Sequence, residues 1–264
     1  MKSKLYIIEG LPCSGKSTTS AYVADILSAE KKVCFVDEGT GDHPADYEFH
    51  SFLNKDALEN FSEEEQSRIL STSEKTVRGY IVPLSEFEGE LFNKLLENKI
   101  YDFLTWDVEK PLMLDKWRDF VKNADNDTVY VFNCVLLQNP MCETMMRFGF
   151  DVGESFEHIS EITRIIEPLK PAVIYLKNTQ IEASVKKASK EREGWLDAVI
   201  DYHVNGEYGK SINASGFDGY IRCLEERQIR ELEILEKLDV RKIVLNNPQN
   251  NWAKARKEIK EFIK

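Results

Sequence analysis

The stretch IIEGLPCSGKSTTS, residues 7–20, decides how this chain is read. Gly10-Leu11-Pro12-Cys13-Ser14-Gly15-Lys16-Ser17 satisfies G-x-x-x-x-G-K-[ST] in full. The apolar run LYIIE (5–9) precedes it. STTSAYVADILSAEKK (17–32) follows, with Val23, Ile26 and Leu27 on one helical face. A strand before and a helix after are the context in which this motif cradles phosphates. Gly10 and Gly15 permit backbone angles and close approaches that a Cβ obstructs. The amides of the loop and of the helix start, from Pro12, Cys13, Ser14 and Gly15 through Lys16, Ser17 and Thr18, then surround phosphate oxygens. Lys16 is expected to reach the outer phosphates and Ser17 to ligate Mg²⁺. Cys13 reads as a neutral spacer, although a helix N-terminus favours a thiolate. The G-x-G-x-x-G spacing of dinucleotide sites is absent. The loop therefore points to a nucleoside triphosphate with magnesium.

Four further apolar runs read as buried parallel strands: VCFVD (33–37), VYVFNC (129–134), AVIYLK (172–177) and KIVL (242–245). The first two strands and the helix between them form a βαβ unit with a right-handed crossover. About ninety residues separate the second and third strands, far more than a crossover needs. Helix-like patterns near 62–71, 87–99 and 110–123 mark this as a helical insertion, about 44–125, in a single domain spanning 1–264. The gap after the fourth strand, about 178–240, is charged and ends in a long amphipathic helix. There, Arg222, Arg227 and Arg230 alternate with glutamates and read as surface ion pairs.

Ligands of parallel α/β sheets bind at the carboxyl ends of the strands. The second strand ends in Asp37 and Glu38, followed by His43. A carboxylate there can accept the proton of an attacking hydroxyl. His43 is a weaker candidate for substrate contact. The third strand ends in Asn133 and Cys134 where many phosphate-loop proteins keep a magnesium-binding acid. Gln138, just beyond, is a candidate hydrogen-bonding partner of the substrate, as is Arg147 at the end of the next short helix. Phosphoryl transfer also needs cations around the migrating group. Lys186, Lys187, Lys190 and Arg192 supply them, with Arg192 favoured because a guanidinium forks onto phosphate. The stretch NNPQNNW (246–252) is a candidate base-recognition loop.

Composition sets limits. The 264 residues are 42% apolar, enough for a core. The net charge of −11 disfavours nucleic acid and anionic membranes as partners. Five cysteines without metal-ligand spacing read as reduced thiols, and no apolar run suits a signal peptide or membrane span. The expectation is a cytoplasmic protein; nothing in the pattern speaks to oligomeric state.

IIEGLPCSGKSTT, the acidic end of VCFVDEGTGDHP and the basic KKASKEREGW resemble the P-loop nucleoside and nucleotide kinase superfamily, with a thymidylate-kinase-like scaffold. The resemblance implies a three-layer α/β fold with five parallel strands in the order 2-3-1-4-5. It further implies an ATP site and a lid in the segment after the fourth strand. Lys16 and Ser17 match the family pattern, and Asp37 or Glu38 matches the acid that faces the acceptor. The acidic-Arg pair of many nucleoside kinases is replaced by NCVLLQN (133–139), which turns the expectation toward another small-molecule acceptor. The leading expectation is an ATP-dependent phosphotransferase. A nucleotide-binding switch with a protein partner is the second, favoured by Asn133. A polynucleotide or protein kinase is the third, and the acidic charge counts against it.

Overall fold

The computed structural model describes residues 3–39, 41–192 and 194–264. In chain order the chain opens with β1 (Leu5–Gly10), α1 (Lys16–Ser28) and β2 (Lys32–Val36). There follow β3 (His50–Leu53), α2 (Lys55–Leu58), α3 (Glu63–Thr72), β4 (Glu74–Lys75), β5 (Tyr80–Pro83), α4 (Gly89–Leu96) and α5 (Trp106–Asn123). Next come β6 (Thr128–Asn133), α6 (Gln138–Met141), α7 (Val152–Ile166), β7 (Ala172–Lys177), α8 (Ile181–Ser189) and α9 (Trp195–Asn205). The chain closes with α10 (Glu207–Ser211), α11 (Gly216–Lys237), β8 (Arg241–Asn246) and α12 (Trp252–Ile263). Two compact units result: Met1–Glu38 with Trp117–Lys264, and Gly39–Lys116.

The first unit holds a five-stranded sheet in the order β2-β6-β1-β7-β8, every pair parallel. Renumbered among themselves, these strands run 2-3-1-4-5, and each expected strand lies within a residue of its observed ends. β1 and β6 are buried along their whole length, as continuous apolar runs require when helices cover both faces. On one face, Tyr6, Ile8, Val131 and Ile174 pack with Val23 and Leu27 of α1 and Ile259 of α12. On the other, Tyr130 and Phe132 meet Phe120 of α5 ring against ring at 5.0 Å, and Tyr175 reaches α11. Alternate residues of each strand thus serve opposite layers.

The segment after β7 is helical, α8 through α11. Arg227 in α11 is not part of a surface ion pair. It is 1% exposed, and its Nε lies 3.1 Å from Glu231, which is fully buried. Its Nη1 donates to Cys142 Sγ at 3.1 Å, and Tyr175 donates its hydroxyl to Glu231 at 2.6 Å. Position on the helix explains the difference. Arg227 and Glu231 share the face bearing Tyr220, Leu224 and Ile234, which packs inward, while Arg222 faces solvent. Burial pushes the Glu231 carboxyl up; Arg227 and the Tyr175 hydroxyl oppose that.

The expected helices are observed as α3, α4 and α5; the second unit holds α3, α4 and α5 up to Lys116, but it is not purely helical. β3, β5 and β4 form an antiparallel sheet in that order. The strands are two to four residues long, too short for a sequence period to reveal. Their alternation still organises the unit. Leu53 and Val82 enter one cluster with Ile69 and Leu95, whereas Phe52 and Ile81 enter another with Ile100 and Leu112.

Removing one member of a buried ion pair strands the other. Arg227→Met or Glu231→Gln is expected to destabilise the chain by roughly 3–5 kcal/mol in denaturant titration. Arg222→Met, on the exposed face, is expected to change stability by under about 0.5 kcal/mol.

Candidate functional site

The phosphate loop joins β1 to α1. Gly10 has φ +140°, and a Cβ there would lie 2.7 Å from the Leu176 carbonyl oxygen on the neighbouring strand. Gly15 has φ +96°, and a Cβ would lie 2.9 Å from the Trp252 ring. Only glycine fits both places. Ser14 N–H closes the turn onto Leu11 O at 3.2 Å, and Gln249 donates its side-chain amide to Cys13 O. The first bond into α1 runs from Thr19 N–H to Gly15 O at 3.0 Å. The amides of Lys16, Ser17 and Thr18 therefore precede the helical ladder. No side chain caps α1, whereas Ser62 and Asp151 close full capping boxes on α3 and α7. An uncapped helix start behind a glycine turn suits a phosphate group.

Lys16 is buried, and its Nζ donates to Leu11 O at 3.1 Å and to Gln138 Oε1 at 2.8 Å. Gln138 Nε2 in turn donates to Glu38 Oε1 at 3.1 Å. One amide thus bridges the loop lysine and the carboxylate beyond β2. Gln138 is fixed from behind by Glu9. This carboxylate accepts the backbone N–H groups of Leu136 at 2.7 Å, Leu137 at 3.0 Å and Gln138 at 3.1 Å. Burial pushes the Glu9 carboxyl up to about 7, against the pull of those three donors. Cys134 and the turn after it place these amides over the end of β1, where Cys134 N–H meets Ile8 O at 2.9 Å.

A cavity of about 790 Å³ opens over the loop. The expected nucleotide residues Pro12, Cys13, Ser14, Gly15, Lys16, Ser17 and Thr18 line it, and so do Glu38, Gln138 and Arg192. Asn247, Pro248, Gln249, Asn250 and Trp252 line it too, placing the base-recognition candidate beside the loop. Burial pushes the Cys13 thiol up, despite Arg192 and Lys16, so the thiol form prevails as expected of a spacer. Asp37 does not line the cavity. Its Oδ1 accepts from Asn133 Nδ2 at 2.6 Å and from Glu38 N–H at 3.0 Å. The neutral residue at the end of β6 is thereby matched with a carboxylate from the adjacent strand.

Two candidates lie elsewhere. Arg147 does not line the cavity; its guanidinium binds Glu143 at 2.7 Å and covers the Phe148 ring at 4.4 Å. The six residues Cys142–Arg147 form a π-helical turn, which carries Arg147 onto Glu143. His43 belongs to the second unit. It is buried, its Nδ1 accepts from Ala45 N–H at 3.1 Å, and burial lowers its pKa to about 4. It shapes a turn as a neutral ring. Sequence reasoning missed Glu9 and Arg227 as cavity neighbours. An acid inside the apolar run LYIIEG was the available signal for Glu9: a charge at the buried end of a strand needs partners.

A glycine loop of this geometry between the central strand and its helix, in a parallel sheet of order 2-3-1-4-5, settles the architecture. The fold is a three-layer α/β phosphate-loop fold. No protein-family model matches the chain, and no curated protein sequence matches it significantly. Among solved structures it is similar to thymidylate kinase from Candida albicans, at 12% identity over 99% of this chain and 94% of that one, with a TM-score of 0.40. It is also similar to the YorR protein of Bacillus subtilis, solved with phosphorylated GDP, at 13% identity over 98% and 95%, with a TM-score of 0.40. At this distance neither likeness bears on activity. No helix among the described residues is long and apolar enough to cross a membrane.

Glu9 gives a pH signature. Its folded pKa is raised above the ordinary glutamate value, so its stabilising share is complete below about 4.5 and is lost as pH rises through about 7. The stability of the wild type minus that of Glu9→Gln is expected to fall across this window in denaturant titrations at stepped pH. A difference independent of pH would remove the assignment.

Proposed function

We propose that the chain is a kinase that moves the γ-phosphoryl group of ATP, with magnesium, to a small-molecule acceptor. The observation that carries this reading is the Lys16–Gln138–Glu38 chain at the mouth of an uncapped, glycine-preceded helix. The Lys16 ammonium lies one amide away from the Glu38 carboxylate, which supports a role for the first at the transferring phosphate and for the second at the acceptor proton. ATP phosphates suit the free amides of Lys16, Ser17 and Thr18. Magnesium suits the Ser17 hydroxyl, which is exposed in the cavity, together with phosphate oxygens and water. Among the described residues no three His, Cys, Asp or Glu side chains gather into an all-protein metal cage, the arrangement magnesium rarely uses. When bound, the ion neutralises charge on the phosphates.

The residues then divide the work. Lys16 exchanges Gln138 for a phosphate oxygen. Arg192, on the turn after α8, and Lys187 also line the cavity and supply further cations for the phosphates. Glu38 accepts the acceptor proton, and Gln138 holds its carboxylate in place. Asp37, turned to Asn133, supports the end of β2. The lid role of the segment after β7 and a cytoplasmic setting belong to the same proposal, as does the absence of nucleic acid and membrane partners, which accords with the net charge of −11.

A nucleotide switch with a protein partner is the second reading, favoured by the uncharged Asn133. The Asp37 carboxylate hydrogen-bonded to Asn133 weakens it, because an acid is present at that point after all.

Lys16→Ala is expected to lower MgATP-dependent turnover by about 100-fold or more, as loss of a phosphate-binding cation does. Steady-state ADP release with saturating acceptor tests this. In the same assay Glu38→Gln is expected to lower kcat by about 100-fold, within the range of general-base losses, and Asp37→Asn by less than about 10-fold. The reverse ranking would transfer the base role to Asp37. ADP formation that no acceptor accelerates would favour the switch.

A further inference from the structure

Resting on the kinase reading above, we infer that Arg227 and His203 form a carboxylate subsite in the cavity, and that the acceptor is a 2-hydroxy acid bearing a second hydroxyl. Arg227 lines the cavity, and its Nη1 donates to Cys142 Sγ at 3.1 Å. The other edge of the guanidinium, Nε with Nη2, is buried and has no hydrogen-bond partner among the described residues. Glu231 Oε1 stands 3.1 Å from Nε, close enough to balance the charge but out of line with the N–H. Two parallel N–H groups on one edge of a guanidinium are the fork that receives both oxygens of a carboxylate. Buried donors without acceptors are costly, so this edge points to a ligand.

His203 belongs to the same part of the cavity. Tyr202 donates its hydroxyl to Cys142 O at 3.0 Å, and its ring lies 5.3 Å from that of His203. Cys142, Tyr202 and His203 all line the cavity. His203 Nδ1 meets Val199 O at 2.7 Å; a carbonyl only accepts, so Nδ1 carries the proton. Burial, reinforced by Arg227, lowers the His203 pKa to about 3, so the ring is neutral and Nε2 keeps its lone pair. Nε2 is also buried with no hydrogen-bond partner among the described residues. A ligand that satisfies both groups offers an oxyanion to the fork and, next to it, a donor to the imidazole. A 2-hydroxy carboxylate has both. A phosphate dianion carries acceptor oxygens only, and one of them would face the lone pair.

The backbone sets the reach. Gln138, which holds Glu38, opens α6, and Cys142 N–H donates to Gln138 O one turn later. The residues that hold the base and the fork are thus about 6 Å apart along the helix axis. That spacing suits a short acid with its carboxylate on Arg227 and its second hydroxyl at Glu38. The step balances. The oxygen of that hydroxyl bonds to the γ-phosphorus of ATP, and the bond from that phosphorus to the β,γ-bridging oxygen breaks. ADP leaves with the bonding pair, and the hydroxyl proton passes to Glu38.

The test uses the full chain, with the magnesium complex of a non-hydrolysable ATP analogue for binding and with MgATP for turnover. D-Glycerate and D-gluconate are each titrated calorimetrically beside the primary amide, which keeps the shape and loses the charge. Glycerate is also compared with 3-hydroxypropanoate, which lacks the 2-hydroxyl, and with glycerol 3-phosphate. At least one acid is expected to bind about 10-fold or more tightly than its amide, and glycerate about 3-fold or more tightly than 3-hydroxypropanoate. Arg227→Lys, which keeps the charge and loses the fork, is expected to remove most of the difference between acid and amide. Should that variant fail to fold, the wild-type comparisons decide alone. Equal or absent binding of acid and amide overturns this inference and leaves the kinase reading standing. So do glycerate binding no tighter than 3-hydroxypropanoate, tighter binding of glycerol 3-phosphate, and an undiminished acid preference in folded Arg227→Lys. Acids that bind in preference to their amides but yield no phosphorylated product by mass overturn the kinase reading and leave the subsite.

Discussion

A carboxylate that accepts three backbone N–H groups underlies the whole site. Glu9 stands at the end of the central strand and gathers the amides of Leu136, Leu137 and Gln138. Those amides open α6, and a buried helix start needs acceptors as much as a buried carboxylate needs donors. Each satisfies the other. The pairing welds the end of β1 to the turn after β6, so the phosphate loop and Gln138 share one rigid mount. The pull between burial and the three donors leaves Glu9 titrating near neutrality, a compromise set by position alone.

A second buried pair does comparable work one strand away. Arg227 and Glu231 bind α11 to Tyr175 of β7 and to Cys142 at the start of the π-helical turn. Ion pairs at this depth contribute little net stability, because desolvation offsets attraction, yet they are costly to break. They fix which groups lie together. Here they tie α11 to β7 and to the start of the π-helical turn, beside the cavity that Arg227 lines.

Much of the architecture was legible in the residues. The five strands stood out as continuous apolar runs, and the loop as a motif with its context. Both follow from local rules: strands buried on both faces are apolar throughout, and phosphate cradles need glycine at fixed places. The small sheet in the second unit escaped notice because strands of two to four residues carry no period, and their pairing is settled by contacts far along the chain. Arg227 was misread for a related reason. Charge alternation on a helix looks the same whether a face meets water or protein, and only the packing of α11 decides it. Arg147 and Arg192 were equivalent as sequence, each a cation after a strand. The π-helical turn commits the first to Glu143, while the second stays at the cavity. Gln138 was legible as a polar residue past a strand end, but its place between Lys16 and Glu38 depends on Glu9, which no spacing rule connects to it.

The shared amide of Gln138 also sets a geometric relation. Lys16 and Glu38 are tied to opposite ends of one side chain. The backbone N–H of the same residue is held by Glu9. A group that takes Lys16 from the amide therefore leaves Gln138 anchored at its other end and at its backbone. Charge can be rearranged at one end of this bridge without releasing the other.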